Sequence, residues 1–193
     1  MAKNIDPKLK KIGEYLKLDA GSIFSIPEYQ RPYSWRIYDC DKLWQDIIAF
    51  IDSDGNDPYF FGTIIINCLE NDKVLSLIDG QQRTTTFLLL LKALLINLIK
   101  SVEETSKDSD SEALAEGLKA KRNVIMKILY KAEDEEIFAI LKNFGKVADV
   151  VILENKSINE LFKDEAGKIF IAPDFEIAEY SVHKIPRKQK DNK

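Results

Sequence analysis

Residues 76 to 95 read SLIDGQQRTTTFLLLLKALL, and the polar insert Asp79, Gly80, Gln81, Gln82 and Arg83 between a short apolar run and a long one decides the fold. An Asp-Gly pair is enough to turn a chain, because glycine accepts the positive φ that other residues resist. The two glutamines and the arginine exceed what turning requires. Before the insert, KVLSLI (73–78) is a β-rich run; after it, Thr84 to Lys100 is apolar on nearly all sides, which predicts a central helix. The insert therefore falls on a strand-to-helix turn.

Working back from that turn, YFFGTIIINCL (59–69) is a second β-rich run, and Glu70, Asn71 and Asp72 join the two as a hairpin. DSDGNDP (52–58) is a turn cluster. DKLWQDIIAFID (41–52) places Leu43, Trp44, Ile47, Ile48 and Ile51 on one helical face, with Asp39 or Asp41 as N-cap. In SIFSIPEYQRPYSW (22–35), Ile23, Phe24 and Ile26 predict a strand that Pro27 and Pro32 end and hold extended. Residues 8–18, with Leu9, Ile12 and Leu16, predict a short amphipathic helix. Past residue 100, helices are expected at 113–131 and 133–143, a strand at VADVVIL (147–153), and short helices at SINELF (157–162) and DFEIAEY (174–180). The fold class is α+β: a small sheet from roughly 22 to 78 packed on helix 84–100, then a helical extension. The division this suggests is 1–100 and 101–193.

Composition narrows the function. With 193 residues, 45% of them hydrophobic, the chain holds one full core. A net charge of −4 argues against broad nucleic-acid binding, which draws most of its affinity from a basic face. The run 101–116, with six acids and one lysine, is expected as a solvated loop, and the basic end 184–193 as a frayed tail. Cys40 and Cys68 form no CxxC pair, so neither a zinc site nor a disulfide framework is indicated. The single histidine, His183, lacks the partners of a Ser-His-Asp triad or an HExxH metal site. The start MAKNIDPKLKKIGEYLK has no signal-peptide core, and FLLLLKALLINLI (87–99) is interrupted by Lys92 and Asn97. A cytoplasmic protein with no membrane partner is expected, and the lysine-rich end suggests a piece of a longer one.

A glycine turn opening a helix exposes unpaired backbone N–H groups and the positive end of the helix dipole, a ready anion site. Arg83 adds a planar fork that matches phosphate oxygens. Asp79 is placed to orient Arg83 or to hold Mg²⁺ bridging phosphates. Gln81 and Gln82 both donate and accept, which suits positioning a water or a base edge. The plainer alternative is that Asp79 caps the helix, the glutamines face water and Arg83 pairs with Asp72 or Glu70. A second cluster, PEYQRPYSW (27–35), locks Gln30 and Arg31 between prolines, so little entropy is lost when they meet a ligand. Its aromatics either cap the core or, at Tyr33 or Trp35, stack on a nucleobase.

FSIPEYQRPYSW, DKLWQDII, YFFGTIII and LIDGQQRTTT, in that order over roughly residues 10 to 100, resemble the N-terminal domain of GmrSD-type, modification-dependent restriction enzymes and their relatives in phage defence. That resemblance implies a fold related to ParB and sulfiredoxin nucleotide-binding domains, and a DGQQR turn that binds and hydrolyses a nucleoside triphosphate with Mg²⁺. Carried over by position, Asp79, Gln82 and Arg83 are the expected catalytic residues, with Asp79 the magnesium ligand. Gln30, Arg31, Gly80, Gln81 and Thr84 are the expected nucleotide contacts. The family's usual leucine after the arginine is here Thr84. The histidine-dependent nuclease half has no counterpart in this chain, which puts cleavage by it in doubt.

The expected function is thus the regulatory NTPase domain of a bacterial restriction or phage-defence protein. DNA would be reached through the full-length protein, and a second copy of the chain is an open option. Two alternatives stand beside it: a non-catalytic ParB-like module that binds DNA or nucleotide, and a fragment inactive without its missing domain.

Overall fold

A computed structural model describes residues 6–19, 21–53, 58–69, 73–107, 111–142 and three two-residue strands at 153–154, 170–171 and 176–177. Its elements run α1 (Ile12–Leu16), β1 (Ile23–Ser25), α2 (Ile37–Asp52), β2 (Ile65–Leu69), β3 (Val74–Asp79), α3 (Gln81–Thr105), α4 (Glu112–Tyr130), α5 (Asp134–Lys142), β4 (Leu153–Glu154), β5 (Phe170–Ile171) and β6 (Glu176–Ile177). The class is α+β, as the sequence predicts.

The sheet has the order β2-β3-β1-β4. β2 and β3 form the antiparallel hairpin, while β1 runs parallel to β3, with Phe24 opposite Leu75. On the other side of β1, Leu153 of β4 pairs with Phe24, also in parallel. The expected strand at 147–153 is met at its last residue; 147–152 lie outside the described residues, as do SINELF and the basic tail. DFEIAEY is corrected: Glu176–Ile177 is a strand, paired antiparallel with Phe170–Ile171. Ile177 is β-branched, and such residues fit a pleated ladder better than a helix.

Several boundaries also differ from expectation, the first being α1, which covers only Ile12–Leu16 of the expected 8–18. α2 begins at Ile37, with Arg36 as N-cap and Asp39 at the third helical position, where its carboxylate accepts the Arg36 backbone N–H at 2.9 Å. The run 59–64 is not strand, since Gly62 there takes φ +94°. α3 begins three residues early and runs to Thr105, and α4 starts at Glu112, so most of the acidic run is helical.

One hydrophobic core joins all layers, from Leu16, Phe24 and Leu43 through Leu77, Leu88, Leu89 and Leu95 to Met126, Leu129 and Ile137. It crosses residue 100, because the buried face of α4 closes over α3. By length and composition α3 would cross a membrane, yet 56% of its most apolar window is buried within the protein. At the far end of α4, Lys131 takes a left-handed conformation and its Nζ donates to the Ser22 carbonyl, tying the helix to the start of β1.

Candidate functional site

Gly80 makes the transition from β3 to α3 and is required there twice over. Its φ of +86° belongs to the left-handed region, and a Cβ would lie 2.8 Å from Ile64 Cγ1 and 3.2 Å from Ile64 Cα. As N-cap it donates no side chain, and no other side chain caps the helix. The first-turn N–H groups of Gln81, Gln82 and Arg83 precede the first intrahelical bond, from the Thr84 N–H to the Gly80 carbonyl at 2.9 Å. The same three residues line a pocket of about 390 Å³ together with Gln30, Arg31, Trp35, Asp79 and Gly80.

Two sequence segments about fifty residues apart thus meet, and the glutamines are what joins them. Gln82 Oε1 accepts the Ser34 backbone N–H at 2.8 Å and its Nε2 donates to the Pro32 carbonyl at 3.1 Å. Gln81 Nε2 donates to the Arg31 carbonyl at 3.3 Å, and Gln30 Nε2 to the Ile78 carbonyl at 2.8 Å. Each amide therefore grips main chain on the opposite segment. The plainer sequence alternative fails on two points: Asp79 is not a cap, and Gln81 and Gln82 are each only 7% exposed. Arg83 Nη1 donates to the Phe61 carbonyl at 2.8 Å; Glu70 and Asp72 lie outside the described residues. Gln81 Oε1 is buried without a partner.

Of the eight residues expected at the site, seven line the pocket and Thr84 does not. Thr84 is fully buried, its hydroxyl donating back to the Gly80 carbonyl at 3.1 Å and meeting Tyr15 OH at 2.8 Å. Thr86 repeats this two residues on, its hydroxyl bonding the Gln82 carbonyl at 2.8 Å and meeting Tyr33 OH at 2.9 Å. Tyr33 is thus a brace behind the pocket, and Trp35 is the aromatic at its wall. No local pattern signals the Tyr15 and Tyr33 contacts, which span 69 and 53 residues. Gly62 was also missed, although a lone glycine inside an apolar run is a signal for close backbone approach.

Burial sets the chemistry of the supporting groups. It pushes the Tyr15 hydroxyl up to about 12, against the lowering effect of its Thr84 bond and of Arg83, and it holds Tyr33 well above the usual phenol range. Burial likewise raises the Cys40 thiol to about 11. All three stay protonated at neutral pH and serve as neutral hydrogen-bonding groups, with no thiolate nucleophile at Cys40. Among the described residues, Asp79 is the one carboxylate lining the pocket, and no group of three or more His, Cys, Asp or Glu side chains gathers to hold a metal. That donor set fits magnesium, which takes one or two carboxylates and completes its shell with water and substrate phosphate.

A small mixed sheet feeding a core helix, with a donor-rich pocket at the helix N-terminus, defines an α+β domain whose candidate site lies at a strand-to-helix turn. The family model described as GmrSD restriction endonuclease, N-terminal domain, matches residues 12–192, and the chain belongs to that family of restriction and phage-defence proteins. No curated protein matches it.

Proposed function

We infer that this chain binds a nucleoside triphosphate with Mg²⁺ over the DGQQR turn and hydrolyses it, as the regulatory domain of a restriction or phage-defence protein. The observation that carries this reading is convergence: the unpaired first-turn N–H groups of α3, Arg31 and Arg83 all border one pocket of about 390 Å³. Such a volume lies in the usual range of small-molecule sites. The helix N–H groups donate to phosphate oxygens, and the two guanidiniums balance charge that grows toward the transition state. Trp35 offers a face for the base. Magnesium on Asp79, when bound, neutralises phosphate charge. Gln82 acts at one remove, holding the 32–34 main chain so that Arg31 and Trp35 stay over the turn. Contact with DNA falls to the full-length protein.

A second reading, nucleotide binding without turnover, is favoured by the engagement of both ends of the Gln82 amide and of Gln81 Nε2 with the loop main chain. Phosphate release from ATP, GTP, CTP and UTP with Mg²⁺, run beside Arg83→Ala, separates the two. Release that disappears in the variant supports hydrolysis; a thermal shift on nucleotide addition without release supports the switch. Neither release nor shift overturns both.

A further inference from the structure

The geometry points to Gly62 as a positioning residue: its missing side chain is the space in which the Arg83 guanidinium lies, and the segment 59–62 fixes that guanidinium at the pocket. A Cβ on Gly62 would overlap Arg83 Nη1 and sit 2.9 Å from its Cζ. Beside it, the Phe61 carbonyl takes the Nη1 hydrogen bond at 2.8 Å. An arginine side chain otherwise carries much rotamer freedom, which costs affinity unless something holds it in advance.

The holding segment is itself braced on both flanks. Phe61 packs edge-on against Phe87, with ring centroids 4.9 Å apart, one helical turn beyond Arg83 on α3. Its other side meets Tyr59 at 4.6 Å, and Tyr59 OH donates to Asp46 Oδ2 of α2 at 2.6 Å. The Phe61 carbonyl is therefore set by contacts to two helices. With Nη1 turned to that carbonyl, the remaining donors of the fork stay available to the pocket that Arg83 lines.

This inference rests on the phosphate-binding reading of the pocket, and it makes a prediction that a purely structural glycine would not. In Gly62→Ala the atom that must give way is the tip of a flexible side chain, so the fold survives with some backbone strain from the φ of +94° while Arg83 is displaced. Affinity for inorganic tripolyphosphate, measured by calorimetry on the full chain, should fall about tenfold in Gly62→Ala, within reach of the loss in Arg83→Ala. The double variant should be no weaker than Arg83→Ala alone, because both changes remove the same contact. Arg83→Lys placed in the Gly62→Ala background should recover part of the loss, since the slimmer ammonium fits beside a methyl group.

Additive losses in the double variant, or full affinity in Gly62→Ala, overturn the inference while leaving the phosphate site standing. Tripolyphosphate that binds wild type and Arg83→Ala alike overturns the reading beneath it as well. One readout needs no ligand: the Arg83 guanidinium resonances in NMR should move in Gly62→Ala. Resonances that stay in place sink the proposal even where no probe binds, and a misfolded Gly62→Ala is replaced by Gly62→Asn, which tolerates positive φ better, judged on the same spectrum.

Discussion

The first turn and a half of α3 and the two turns that follow are buried to the same degree for opposite reasons. Gln81, Gln82, Thr84 and Thr86 are 0 to 7% exposed, as are Leu88, Leu89 and Leu90. The leucines are covered by other apolar side chains in the core. The polar residues are covered by main chain and hydroxyls that they hydrogen-bond, from Pro32 and Ser34 to Tyr15 and Tyr33. Burial of leucine stabilises by removing apolar surface from water, whereas burial of an amide gains little net energy and mainly fixes geometry. One helix thus carries stability in its middle and orientation at its start, so changes in the two regions should separate stability from ligand handling.

The largest effect is expected in the apolar region. Leu89→Ala should lower unfolding free energy by about 2–5 kcal/mol, read from urea denaturation, while the folded fraction keeps its ligand affinity. At the polar end, Arg83→Ala should remove about 2–4 kcal/mol of transition-state stabilisation, a thirty- to thousandfold loss in phosphate release. Its melting curve should stay close to that of the parent. Parallel losses of stability and turnover in either variant would erase the distinction. Below these comes Gln82→Met, which deletes two bonds to the 32–34 main chain and should cost about 1–3 kcal/mol. Its signature is faster amide exchange at Ser34 with little change in the core.

The smallest effect is a pH dependence. Tyr15 and Cys40 have folded-state values of about 12 and about 11, above their ordinary 10.0 and 9.0. A folded state that binds the proton more tightly is favoured while that proton is present. Their contribution is complete below pH 9 and is lost as pH rises toward 12. Melting temperature should therefore hold level through neutral pH and decline between pH 9 and 12. Part of the tyrosinate absorbance should appear only with unfolding; tyrosines that all ionise near pH 10 in an intact fold would show that these hydroxyls are not held.

The hairpin, the central helix and the meeting of Gln30 and Arg31 with the DGQQR turn were legible because each rests on local pattern or on motif order. Strand and helix periodicities switch within five residues at Asp79 to Arg83, and a glycine there has few other uses. What escaped was long-range. The glutamines look like surplus turn residues, and nothing local says that their amides reach a loop about fifty residues away. Tyr15 and Tyr33 read as ordinary amphipathic or core aromatics, yet they fasten two threonines of the run TTT. The start of α3 at Gln81 was misread for the same reason: polar residues at a helix N-terminus resemble loop until their partners are known. The 59–64 run has the composition of a strand, and its glycine, whose positive φ keeps it out of one, is the warning within it.

At 25 residues without a break, α3 is a beam about 37 Å long. Its first turn is bolted to the 30–35 loop, and α4 packs along it. If the Gly80 end tilts against that packing, a helix of this length carries the tilt rigidly along its axis to Thr105.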